Sequence, residues 1–186
     1  IYHEHISYFT VRNIKSLLKY SDLKIISVKK NGYHGGSLRT IATNSYSKLK
    51  EFNANKLIEF ENKNKIYNVK FYKNMMKKIN IKKINLLNKL IKLTQDGYII
   101  SGIGAGAKSN TFLSFYGLNN IIIKFLTDSS KFKQNKYTPK TRIIIKDDNE
   151  LTNYKKIACI ILSWNIGGMV VKKIKKFNRN IIFIKT

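Results

Sequence analysis

The chain has 186 residues and a mass of 21.6 kDa, about the size of one domain. With 43% hydrophobic and 12% aromatic residues it is a folded protein, which excludes a disordered basic tail. Thirty-six Lys and Arg stand against ten Asp and Glu, a net charge of +26; this argues against an acidic surface and against a life without a polyanionic partner.

In chain order, residues 1–9 (IYHEHISYF) gather aromatics, two histidines and an acid. Thr10 reads as an N-cap for a helix with Val11, Ile14, Leu17 and Leu18 on one face. Leu23–Lys29 reads as a strand, Asn31-Gly32 as a turn, and residues 34–43 as a glycine turn and a second strand, together a hairpin. Residues 44–69 read as one irregular helix. Residues 70–95 give the clearest helix, with an apolar stripe at 71, 75, 79, 86, 90 and 93 and most lysines off it. A strand over 97–101 runs into the glycine loop 102–111, and apolar residues follow. Further strands are expected over 121–128, 142–146, 154–164 and 180–185, with a short helix after 147 and another from Asn165 to Lys176. Strands alternating with helices predict an α/β fold: a Rossmann-like, mostly parallel sheet with flanking helices, preceded by a small helix–hairpin segment. The expected division is 1–69 and 70–186, within one compact unit.

Several function classes fall away at once. The lone Cys159 cannot form an internal disulfide, and no cluster has metal-ligand spacing, so no metal is expected. No apolar run reaches the ~20 residues of a membrane helix, so no membrane partner is expected. There is no secretory signal pattern. The chain opens on Ile1 rather than Met, which reads as processed, trimmed or a fragment.

Lys (32), Ile (29) and Asn (21) make up 82 residues. These residues use A- and T-rich codons, so the composition resembles that of an organellar genome and places the protein in the mitochondrial matrix, or otherwise in the cytoplasm. Codon bias explains lysine in place of arginine but not missing acids. Residues 62–95 hold ten lysines and no acid; residues 151–186 hold eight Lys and Arg and no acid. A polyanion is the expected reason.

The glycine loop Gly102, Gly104, Gly106, followed by Lys108, Ser109, Asn110 and Thr111, lets a backbone approach a ligand and presents helix-start N–H groups to an anion. It is neither a P-loop nor GxGxxG. The plainer reading is a tight strand–helix turn. Glu4 could orient His5 as a general base, with Tyr2 beside them; the plainer reading is a helix lead-in. His34-Gly35-Gly36 reads as a turn, and Trp164 as a core residue at a strand end.

Taken in order, Tyr2–Phe9 (YxEHxSYF), His34–Arg39 (HGGSLR), Gly102–Thr111 (GxGAxAKxNT), Asp128 with Lys133, Gln134, Tyr137 and Pro139, and Leu162-x-Trp164-Asn165 resemble the C-terminal half of S-adenosylmethionine-dependent sugar C-methyltransferases. The resemblance spans nearly the whole chain. It implies a Rossmann-like domain that holds a nucleotide sugar against a preceding methyltransferase domain. It implies His5 as the base beside a keto group, assisted by Tyr2 and Glu4, whether active or vestigial. It implies Gly102, Gly104, Lys108, Asn110 and His34 on the nucleotide-sugar side. Ser129-Ser130, Asn135, Lys140, Ile166–Met169 and Ser109 depart from the family pattern, mostly in ligand-side loops. The family's cysteine-rich region and cofactor domain are missing from this chain. No cofactor is therefore expected in it, S-adenosylmethionine entering only if another segment supplies the missing half.

Two readings follow, with a weaker third. The first is a non-catalytic structural component of a ribonucleoprotein, most economically a mitochondrial ribosome. Lys73, Lys77, Lys78, Lys82, Lys83, Lys89, Lys133, Lys136, Lys140, Lys172, Lys173, Lys175 and Lys176 would meet RNA phosphates and neighbouring proteins. The second is the nucleotide-sugar half of a sugar C-methyltransferase, with its cofactor domain on another segment. The third, a dinucleotide-binding oxidoreductase, is opposed by the glycine spacing.

Overall fold

The computed structural model describes residues 5–185, apart from the side chains of His34 and Asn165. Tyr2 and Glu4 lie outside the described residues. The chain divides into two units: residues 6–79, and residues 80–186 with the first five. The division falls inside one long helix.

In the first unit, Thr10 caps α1 (Val11–Lys19), its Oγ1 accepting from the Asn13 N–H at 3.2 Å. β1 (Leu23–Asn31) and β2 (Ser37–Asn44) pair antiparallel, with a bulge between Ile25 and Ser27. Asn31 is still paired, with Ser37, so the reversal is a longer turn through a 3₁₀ segment over Tyr33–Gly35 rather than a two-residue Asn-Gly turn. α2 spans Ala54–Lys63, which leaves residues 45–53 as turns and irregular chain rather than helix. Here Asn53 acts as a surrogate strand residue: its side chain accepts from Val28 N–H at 2.8 Å and donates to Val28 O at 2.7 Å. The unit's core is small: Val11, Ile25, Val28 and Ala54 are buried, with Ile14, Leu18, Leu38, Leu57 and Ile58 against them. Leu17, expected on the buried face, is 54% exposed. Val11, Ile14 and Leu18 complete the stripe, and Leu17 falls at its edge.

α3 (Val69–Gln95) begins in the first unit and ends in the second, where Leu86, Leu87, Leu90 and Leu93 join the core. The second unit is a five-stranded parallel sheet in the order β5-β4-β3-β6-β7, made of β3 (Ile99–Ile103), β4 (Phe125–Thr127), β5 (Ile145–Lys146), β6 (Ile157–Ile161) and β7 (Ile182–Lys185). All five residues of β6 are buried, the signature of a strand covered on both faces. One face carries Ile100, Leu126, Ala158, Ile160 and Ile184 beneath α3 and Leu113 of α4 (Ala107–Tyr116). The other carries Phe125, Ile157, Cys159 and Ile161 beneath Ile174 of α5 (Gly167–Ile174). Burial pushes the Cys159 thiol up to about 12, against a weaker pull from Ser101, so it is an inert core residue.

Two strands are shorter than their apolar runs. The N–H groups of Ile121, Ile122 and Ile123 all go to the Asn119 side chain or carbonyl, so β4 starts only at Phe125 and Ile121 is 87% exposed. Residues 142–145 share their backbone groups with a local hairpin: Ile145 N–H donates to Lys136 O, and Tyr137 bridges Ile144, leaving two residues of β5 for the sheet. Strand β3 is shifted the other way and includes Gly102.

Gly104 ends β3 at φ +98°, and a Cβ there would lie 1.9 Å from Ser163 Oγ. Gly104→Ala is expected to destabilise the fold by about 2–4 kcal/mol, combining left-handed strain with overpacking. Gly32→Ala, with no atom within 4 Å of the added carbon, should stay within about 1 kcal/mol of the parent. Urea denaturation of both variants checks the contrast.

Candidate functional site

From β3 the chain moves one way to β4 and β5, then returns to the other side of β3 for β6 and β7. The carboxyl ends of β3 and β6 are thus a switch point, where open parallel sheets leave a crevice for ligands. The glycine loop leaves β3 there, and Ser163-Trp164 leaves β6. The two loops touch. Leu162 and Ser163 donate to Ile103 O at 3.0 and 3.3 Å. The Lys108 ammonium lies 5.4 Å from the centre of the Trp164 ring. Trp164 is 47% exposed and so is a surface residue rather than the core residue its sequence suggests.

The amides of the loop are largely committed. Gly104 N–H donates to Thr127 O at 2.7 Å, Ala105 N–H to Asp128 Oδ2 at 2.9 Å, and Gly106 N–H to Ser109 Oγ at 3.2 Å. Asp128, just beyond the end of β4, also accepts from Ser130 N–H at 3.0 Å and pairs with Lys133 at 3.1 Å. Burial alone would raise its pKa; the Ala105 and Ser130 amides and the Lys133 ammonium outweigh that and hold the carboxyl below its ordinary range. The anion cradled by this glycine loop is therefore the protein's own carboxylate. Beside these committed amides stand Lys108 and the first-turn N–H groups of α4, which by position have no intrahelical acceptor.

Of the residues the sequence nominates, Gly104, Lys108 and Asn110 gather at this edge. Asn110 Oδ1 is buried and lacks a hydrogen-bond partner, an acceptor waiting for a donor. Gly102 sits inside β3, where a Cβ would come within 2.7 Å of Leu126 and 2.9 Å of Leu162, so its smallness serves strand packing. His5 is exposed. Its partners Tyr2 and Glu4, and the His34 side chain, lie outside the described residues. Three of the thirteen nominated lysines are engaged within the chain: Lys83 donates to Phe115 O, Lys133 pairs with Asp128, and Lys173 pairs with Asp148 at 2.7 Å. Among the described residues, no three His, Cys, Asp or Glu side chains gather to hold a metal, and no helix is long and apolar enough to cross a membrane.

A polar cleft of about 590 Å³ opens further along the edge, lined by residues including Gln134, Lys146, Asp147 and Glu150. Gln134 ties it to the glycine loop, donating to Asp128 O at 3.0 Å and to Asp147 at 2.9 Å. The sequence names Asp128, Lys133 and Gln134 as one motif of the resemblance but does not show the bonds that join them to the loop and to Asp147, and it leaves Ser163 unmarked.

Residues 32–184 match the family model described as the C-methyltransferase C-terminal domain. The C-methyltransferase NovU of Streptomyces niveus is 25% identical over 182 residues, covering 97% of this chain and 43% of NovU. The chain thus spans less than half the length of that relative. Both matches speak of C-methyl transfer; neither names RNA, a ribosome or a mitochondrion, so the scaffold expectation gains nothing from them and the enzyme reading is the better backed.

Because the folded protein prefers Asp128 ionised, its contribution to stability is complete above the ordinary carboxylate range and is lost as pH falls through the lowered value. Asp128→Asn should cost about 1–3 kcal/mol at neutral pH, since it breaks charge-assisted bonds to the loop. It should also flatten the loss of stability below pH ~4. Denaturation midpoints from pH 7 to pH 3 test both.

Proposed function

Because the chain belongs to the C-methyltransferase C-terminal domain family, we propose that it is the nucleotide-sugar-side half of an S-adenosylmethionine-dependent sugar C-methyltransferase. The observation that carries this is the match over residues 32–184, which takes in His34–Arg39, the glycine loop, Asp128 and the Trp164 turn. The Tyr2–Phe9 segment lies ahead of that match.

The geometry supports a division of tasks. A nucleoside diphosphate sugar brings about two negative charges, which Lys108 and the start of α4 can meet. The half-exposed Trp164 offers a face on which a base can stack, beside the Lys108 cation. Asn110 Oδ1 can accept from a ligand hydroxyl or N–H and so lose the penalty of an unmade bond. In this reading His5 takes the proton from the carbon next to the sugar's keto group. The C–H electron pair moves into the carbonyl as an enolate, and the proton rests on the imidazole.

The residues present do not fit S-adenosylmethionine. A cofactor bound at this loop needs its amides and a strand-end acid for its ribose. Here Ala105 N–H is given to Asp128, and Asp128 is committed to three donors. The methyl donor belongs, in this reading, to another segment.

One observation favours the RNA reading: α3 carries lysines at 70, 73, 77, 78, 82, 83, 89 and 92 and no acid. It stands on charge alone. Calorimetric titration with a nucleoside diphosphate keto-deoxysugar separates the two. Saturable binding is expected, with Lys108→Ala weakening it about tenfold, equivalent to about 1.4 kcal/mol. Exchange of the proton beside the keto group into D2O should fall by about 10²–10⁴ in His5→Asn. No nucleotide-sugar binding, together with salt-sensitive binding to mixed-sequence RNA, would favour the scaffold.

A further inference from the structure

The first unit holds the chain's other sheet, which has only two strands, β1 and β2. A two-stranded hairpin is marginal in water and needs a packed face and managed edges. The face is packed. Ile25, Val28 and Leu38 lie in the core with Val11 of α1 and Ala54 of α2. α2 in turn holds the start of α1 through Glu61, whose carboxylate accepts from Val11 N–H at 2.7 Å, from Arg12 N–H at 3.3 Å and from the Tyr67 hydroxyl. The outer edge of β1 is closed as well. Phe52 N–H donates to Ile26 O at 2.8 Å, and the Asn53 side chain satisfies both backbone groups of Val28.

The outer edge of β2 is open. Val28 stands opposite Thr40. Because Val28 turns its N–H and C=O to Asn53, the two form a wide pair, and Thr40 turns its own backbone groups away from β1. Alternation along β2 gives Leu38 and Ala42 the same outward direction, whereas Arg39 and Ile41 spend their groups on β1. Among the described residues nothing pairs with the outward backbone groups of Leu38, Thr40 and Ala42. Thr40 Oγ1, at the middle of this edge, is buried and also lacks a partner. The strand has no proline and a single charge, Arg39, and Ile41 is 53% exposed. It lacks most of the devices that blunt an open edge.

The extent of the matches points to the occupant. The C-methyltransferase C-terminal model begins at residue 32, in the turn of this hairpin, so α1 and β1 lie ahead of it. The match to NovU takes in 97% of the chain, and more than half of NovU lies beyond it. The hairpin therefore stands astride the junction with a segment that this chain does not span. A second copy is a poor occupant, because residues 6–79 carry sixteen Lys and Arg against four acids and two such units repel. We propose that the outer edge of β2 is the docking surface for a β-strand of the methyl-donor segment, which extends the two-stranded sheet by main-chain pairing at Leu38, Thr40 and Ala42. The proposal rests on the reading that another segment supplies the methyl donor.

Amide hydrogen exchange on the full chain, alone and with the part of NovU that it does not span, tests this. Alone, the amides of Leu38, Thr40 and Ala42 are expected to exchange at least about tenfold faster than those of Arg39 and Ile41. The NovU part should bind and slow the first three at least about tenfold, leaving the other two unchanged. Ala42→Pro replaces one outward N–H by a ring, which an open edge tolerates. It should weaken that binding at least about tenfold, while the nucleoside diphosphate keto-deoxysugar binds within about twofold of the parent. Protection of the three amides in the chain alone overturns the proposal, and sedimentation then shows whether a second copy takes the edge. No binding of the NovU part, or binding that leaves the three amides exchanging freely, overturns it too. If Ala42→Pro does not fold, the protection pattern of the parent decides. Sugar binding without edge protection removes this proposal and leaves the sugar reading standing; edge protection without sugar binding does the reverse.

Discussion

The Asp128 carboxylate is the interaction on which the candidate site depends. A glycine turn after a parallel strand leaves N–H groups facing outward, and such a concavity attracts an anion. Parallel pairing of Ile103 with Thr127 brings the end of β4 beside that turn, and the next residue supplies the anion. The loop is then ordered before any ligand arrives, and Lys133 offsets the charge. On the proposed nucleotide-sugar reading a phosphate would meet the outer edge, at Lys108 and Trp164, because Asp128 takes the inner amide. The same occupancy leaves the loop without the free amide and the free strand-end acid that a dinucleotide site uses.

Sequence patterns read this fold well where apolar periodicity alone decides. The buried run Ile157–Ile161 and the long helix Val69–Gln95 are visible because each residue's environment repeats with the element's own period. The strand over 121–128 is cut short because Asn119 captures three amides, a choice no hydrophobicity pattern records. Gly102 looks like a loop glycine and is a strand glycine, since what limits it is Leu126 and Leu162 from neighbouring segments. Glu61 leaves little local mark: the amides it accepts from lie about fifty residues away, and a buried acid looks in sequence like a solvated one. Nothing in the 3.6-residue period of α3 marks the division at 79/80 either.

The charge takes on a different meaning beside the structure. Of the ten acids, Glu51, Asp128, Asp148 and Glu150 form ion pairs, Glu61 holds α1, and Asp147 accepts from Asn149 N–H at 2.9 Å. The Asp128 and Asp148 side chains are only 13% and 8% exposed. A fully exposed ion pair contributes about 0–1 kcal/mol, so surface acids can be lost with little effect on folding. Acids that hold loops and helix starts cannot. A chain keeping mainly those becomes strongly basic without any polyanion selecting for lysine. Net charge is thus weak evidence about partners, and the glycine-loop edge is the firmer guide.

The two units are held by different means, and the difference bears on where specificity resides. The sheet unit buries continuous apolar strands between helices, so its stability is spread over many interchangeable contacts. The first unit has four buried apolar side chains and supplements them with Asn53 against β1 and Glu61 against α1. Apolar contacts tolerate sliding, whereas a carboxylate shared by two amides and a phenol has few acceptable arrangements. The unit with the lesser core thus relies on side-chain-to-backbone hydrogen bonds to specify the path of its chain.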